Sequence, residues 1–266
     1  MFSYAFIMRA AIVGTIVSLL CALLGVCLVQ KRFSMIGDGL SHVGFGALAV
    51  AAALGFAPLK VAVPVVTLAA VLLLRVSDNS KIKGDAAIAL LSSGALAIGV
   101  TVVSLSSGIN TDLYNYMFGS ILAMSEGDVI FSCVLGAAAL ALFTLFYNKI
   151  FAVTFDESFA RSRGLHTGTY NLLIAVLTAV TVVLGMRMMG TLLISSLIIF
   201  PAVSAMRLCG RFRAVTVISA FISIICFLSG LVLSYVFSAP TGASVVIVNL
   251  AVFLVCSIIA RVKSDD

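Results

Sequence analysis

In the otherwise apolar stretch 33–56 stand one acid and one imidazole, Asp38 and His42, four positions apart. On a helix that spacing puts both on one face, a turn apart. A carboxylate oxygen and an imidazole nitrogen together suit zinc, manganese or iron(II), and the lack of a nearby thiolate argues against soft copper(I). A charged group near the centre of a membrane helix costs roughly 3 kcal/mol on insertion scales, so one that is kept there faces a cavity or the bundle interior. Two ligands leave a zinc site incomplete, which suits an ion that must also leave. A two-fold dimer with this helix at its axis would supply Asp38 and His42 twice. The competing reading is structural: the two side chains pair with one another, or Asp38 caps its helix from the interface near Lys31 and Arg32.

These residues need a scaffold, and the composition names its class. Of 266 residues, 62% are hydrophobic and 10% charged, against about a quarter charged in soluble domains. Long apolar runs are expected at 10–29, 39–57, 61–76, 86–106, 127–148, 170–186, 189–206, 214–237 and 243–260. The fold expected is an all-α transmembrane bundle of eight or nine spans forming one domain over 1–266. The count falls to eight if the second run, which opens on Ile36-Gly37-Asp38-Gly39, is broken or re-entrant. The stretch 110–125 is too short to span and reads as an external piece. The net charge of +6 lies between the apolar runs and not in a patch, so it reports topology and not nucleic-acid binding. With the first run ending inside at Lys31-Arg32, only Arg9, Lys60 and Arg187 fall outside, and 13 of the 16 basic residues fall inside. The positive-inside rule then puts the C-terminus in the cytoplasm. The 12–29 run is long enough to span, which disfavours a cleaved leader. The six cysteines form no CxxC pair and read as small buried hydrophobes. Met186, Met188 and Met189 read as packing or lipid-facing, and Pro201 as a kink.

The longest polar connection, 148–169, reads as a short cytoplasmic helix at about 154–165. Thr154 is placed to cap it, Asp156 and Glu157 suit its positive end, Arg161 and Arg163 suit the other, and Gly164 ends it. Phe155 and Phe159 give one face two aromatic rings. Either the helix rests on the lipid interface, or that face docks another protein. His166 beyond it reads as a solvated loop residue. No phosphate-binding GxxxxGK[ST] loop exists in the chain, so uphill transport would need a separate ATPase or an ion gradient. An intramembrane metalloprotease would need an HExxH-type pair, and the two histidines are too far apart for one.

Several stretches together resemble the membrane permeases of bacterial zinc and manganese ABC importers. They are Arg32-Phe33-Ser34-Met35-Ile36-Gly37-Asp38 with Leu40-Ser41-His42, Tyr116-Met117-Phe118-Gly119-Ser120, and Thr154-Phe155-Asp156-Glu157 with Ala160 and Gly164. Further on come Gly190-Thr191-Leu192-Leu193 to Pro201-Ala202, and Pro240-Thr241-Gly242-Ala243. The resemblance covers nearly the whole chain. It implies a homodimer in the bacterial inner membrane, bound to two cytoplasmic ATPase subunits and fed by an external metal-binding lipoprotein. It places the metal pathway at Asp38 and His42 and the ATPase-coupling helix at Phe155, Asp156, Glu157, Ala160 and Gly164. The divalent ion is cargo and no permanently bound cofactor is expected. The Phe118-Gly119-Ser120 turn resembles the zinc members more than the manganese ones, and Arg163 before Gly164 departs from the aliphatic residue of many relatives. The rival expectation is a gradient-driven carrier, which also explains an intramembrane acid and histidine.

Overall fold

The computed structural model describes residues 5–79, 84–106, 119, 125–191 and 193–265, and among these every regular element is an α-helix. They are α1 (Ala5–Gln30), α2 (Ile36–Ala53), α3 (Pro58–Asn79), α4 (Gly84–Leu105), α5 (Glu126–Leu145), α6 (Tyr147–Phe155), α7 (Glu157–Ser162), α8 (Thr167–Met189), α9 (Ile194–Leu208), α10 (Phe212–Phe237) and α11 (Thr241–Asp265). Eight of them are long and apolar enough to cross a membrane, and α9, with 15 residues, is not. The expected external piece at 110–125 lies outside the described residues, apart from Gly119 and Ser125, and so do Lys81 and Lys83.

Two expectations about the spans change. The run 39–57 begins earlier, at Ile36, and α2 is one unbroken helix with Gly55 beyond its end at a φ of 72°. It is the seventh run that falls short, because α8 continues to Met189 and α9 starts only at Ile194. Gly190, at a φ of 84°, ends α8, with its N–H donating to the Met186 carbonyl. That conformation is open to glycine and strained for other residues.

The helices α1, α2 and α8 are enclosed by the others, whereas α4, α5 and α11 present Leu90, Ile130 and Ile247 outward, as lipid-facing helices do. Close packing rests on small residues. Gly44 of α2 meets the Met186 side chain, and Gly46 meets the Ala95 carbonyl of α4. Met186, Met188 and Met189 are all buried in the core, so they pack and do not face lipid. Ser219 and Ser223 of α10 donate hydrogen bonds to the Ala22 and Ser18 carbonyls of α1. The six cysteines are free, and each is buried or partly buried.

Charged pairs mark the two ends of the bundle. At one end Arg9 pairs with Glu126, and Arg187 donates to Asp128 at 2.6 Å, while Asp128 also closes a capping box with Ser125. At the other end Lys31, where α1 stops, meets Asn171 at the start of α8. Since α11 returns antiparallel to α10, the chain finishes at the Lys31 end, together with α6 and α7.

Candidate functional site

Asp38 and His42 lie in the first turns of α2, on one face as their spacing requires. The Asp38 carboxylate sits 3.8 Å from His42 Nε2, too far for a hydrogen bond. His42 Nδ1 is buried without a hydrogen-bond partner. Leaving such an atom unsatisfied costs roughly 1–3 kcal/mol. The side chains therefore share a face with no hydrogen bond between them. Asp38 opens on a cleft between α2 and α4 that Met35, Ala89, Ser92 and Ser93 also line. The capping alternative fails: Met35 holds the cap position of α2 with no side-chain bond, and Lys31 is engaged elsewhere. The Asp38 charge in the first turn nonetheless suits the positive end of the helix. Among the described residues no group of three or more His, Cys, Asp and Glu converges.

Ser41, between them in sequence and part of the Leu40-Ser41-His42 stretch but given no role there, is wholly buried. Its hydroxyl has two acceptors, the Asp38 carbonyl at 2.7 Å and the Thr191 carbonyl at 2.9 Å. The second ties α2 to the break between α8 and α9. A hydroxyl next to the acid and histidine in an apolar run was the available signal.

The polar connection folds as two short helices. The residue expected as cap, Thr154, is buried inside α6, because α6 continues to Phe155. Asp156 is the cap of α7 instead, and its carboxylate accepts from the Phe159 N–H at 2.8 Å. The α7 helix stops as expected: Gly164 has a φ of 80°, and Leu165 N–H donates to the Ala160 carbonyl. Ala160 is buried, while Phe155 and Phe159 are 66% and 59% exposed, so two rings stand clear of the bundle. His166 is exposed, as read from sequence.

Glu157 turns inward to the bundle. One carboxylate oxygen faces Arg161 at 3.4 Å, and the other lies 3.2 Å from the Asn171 amide and 3.6 Å from Lys31 Nζ. Burial pushes the Glu157 carboxyl up, but the Asn171 amide, the Lys31 ammonium and the Thr167 hydroxyl outweigh it and hold the carboxyl below the ordinary glutamate range. It stays charged at neutral pH, and its contacts are lost only as pH falls through that lowered range. Behind α7, Phe151 and Phe212 meet at a tilt, 4.7 Å apart between centroids, which anchors α6 to the start of α10, and the exposed Phe155 ring touches Phe151 at its edge of the bundle.

The family model described as "ABC 3 transport family" matches residues 3–260. The chain is 26% identical to the manganese transport system membrane protein MntC of Halalkalibacterium halodurans, over 94% of this chain and 86% of that protein. It is 28% identical to the high-affinity zinc uptake system membrane protein ZnuB of Haemophilus influenzae, over 92% of this chain and 94% of that one. Among solved structures it is similar to PsaBC from Streptococcus pneumoniae in complex with Fab, with a TM-score of 0.85, 29% identity, and 95% of this chain and 91% of that chain covered.

Proposed function

The chain belongs to the ABC 3 transport family and is a metal-type ABC permease subunit, and on that premise we propose that it passes a divalent metal ion, zinc first, into the cytoplasm. The single observation that carries this reading is the acid and imidazole of α2, turned to one face with a buried ring nitrogen left unpartnered, inside a multi-pass bundle. Relatives are named for manganese and for zinc, and oxygen and nitrogen ligands serve both. The preference for zinc rests on the Phe118-Gly119-Ser120 stretch of the sequence, which resembles the zinc members. Two copies of the permease, meeting across the α2–α4 cleft, would assemble four ligands, the number zinc favours. An external metal-binding protein delivers the ion, and a separate ATPase docks at the end carrying α7, which is the cytoplasmic end together with the C-terminus.

The test is ATP turnover and metal uptake by the permease reconstituted with its ATPase in liposomes, compared across zinc, manganese and iron(II). Zinc should stimulate most. Greater stimulation by manganese or iron would reassign the cargo, and uptake driven by a proton gradient without ATP would replace the proposal with a gradient-driven carrier.

A second prediction concerns α7. Glu157→Lys reverses the charge that meets Lys31 and Asn171, and Gly164→Pro removes the N–H that donates to the Arg161 carbonyl and forbids the positive φ. Both variants should lose most transport-linked ATP hydrolysis. If both hydrolyse ATP at the wild-type rate when transporting, α7 is a lipid-surface helix instead.

A further inference from the structure

Lys31, Asn171 and Glu157 come from three elements and close a ring of contacts. Lys31 Nζ lies 2.6 Å from Asn171 Oδ1, the Asn171 amide donates to Glu157 at 3.2 Å, and Glu157 returns to Lys31 at 3.6 Å. Lys31 follows directly on α1, Asn171 is in the first turns of α8, and Glu157 opens α7. The Lys31 side chain is 13% exposed, so the ring is closed off by its neighbours on the α1 side.

The joint that follows Lys31 is short and defined. Arg32 has a φ of 62°, its N–H donates to the Val29 carbonyl, and Phe33 N–H reaches back to the Leu28 carbonyl. A non-glycine residue held left-handed at a helix end is a conformation the surroundings must enforce. Four residues further, α2 begins at Ile36, two positions before Asp38. A short hydrogen-bonded turn thus joins Lys31 directly to the helix bearing the acid and the histidine.

A partly open pocket of about 80 Å³ lies beside the ring, bounded by Lys31, Glu157 and Asn171 on its polar side and by Phe33, Ile36 and Ile88 among the apolar residues opposite. Phe33 of the joint and Ile36 at the start of α2 thus border the same pocket as the ring.

We propose that Lys31 and Asn171 are positioning residues that clasp Glu157 and transmit the movement of α7 to the start of α2, so that work done at α7 reorients Asp38 and His42. This rests on the permease reading above. Lys31 touches neither cargo nor ATPase in it; it acts through the joint.

The experiment uses the permease reconstituted with its ATPase and measures zinc moved per ATP hydrolysed, together with the melting temperature. Lys31→Met should keep the wild-type melting temperature while zinc per ATP falls several-fold, and Lys31→Arg should retain most of the ratio. Asn171→Leu should lower it as Lys31→Met does. In the charge exchange, Lys31→Glu combined with Glu157→Lys should recover zinc per ATP well above either single variant. Unchanged ratios in Lys31→Met and Asn171→Leu would overturn the clasp, as would a double exchange no better than its worse parent. A wild-type complex that moves no zinc with ATP would sink the cargo or transport reading instead, so the two failures are distinguishable.

Discussion

Asp38→Ala or His42→Ala should abolish metal uptake while the permease still folds and assembles. Neither side chain holds the bundle together: Asp38 and His42 are 3.8 Å apart without a hydrogen bond, and His42 Nδ1 has no partner to lose. Asp38→Ala removes a partly exposed first-turn carboxylate, and His42→Ala truncates a mostly buried ring. The variants should therefore melt within a few degrees of the wild-type temperature and elute as the wild-type assembly does. On the proposed reading each variant removes one of the two side chains that would coordinate the ion, so uptake falls while the fold stays. Uptake of radioactive zinc into proteoliposomes, read beside thermal melting, separates the two effects. Normal uptake by either variant would make the pair structural and leave the conduit unassigned.

The second large effect is on folding. A β-carbon at Gly25 would stand 2.0 Å from the Ile198 carbonyl oxygen and 3.0 Å from its carbon, so α1 and α9 meet backbone to backbone there. A flexible side chain could swing away from such an overlap, but a helix backbone has to move as a unit. Gly25→Ala should cost at least the ~3 kcal/mol at the upper end for overpacked cores. It should also sharply lower the yield of folded protein. Gly94→Ala is the control, since nothing lies within 4 Å of its would-be β-carbon and the position is helical and exposed. It should be neutral or gain up to about 1 kcal/mol from helix propensity. Equal melting temperatures for the two variants would mean that α1 and α9 do not touch at Gly25.

The residues that were readable from sequence are those whose signal is local. Lys31-Arg32 ends an apolar run and ends α1, and Asp38 and His42 share a helix face because four residues slightly exceed one turn. Gly164 was legible as a stop because a positive φ favours glycine. Thr154 was misread because a threonine before two acids looks like a cap, whereas packing extends α6 one residue past it and hands the role to Asp156. The 189–206 run looked long enough because hydropathy does not register a break at Gly190. The ring of Lys31, Asn171 and Glu157 was out of reach for another reason. Its members lie 140 and 14 positions apart and carry no shared periodicity, so only the antiparallel return of α8 beside α1 brings them together. The same holds for Arg187 and Asp128, 59 positions apart.

The short α9 has a consequence for how the protein is made. Fifteen residues rise about 22 Å, less than the ~30 Å of hydrocarbon. Lipid alone holds such a segment poorly during synthesis. Two of the helices that cover it, α10 and α11, emerge from the ribosome after it. A nascent chain cut at Cys209 should therefore leave α9 loosely inserted, with its residues open to a water-soluble label, and completion through α11 should close it off. Insertion of this segment is then a late, post-translocon event, set by its neighbours and not by its own hydropathy.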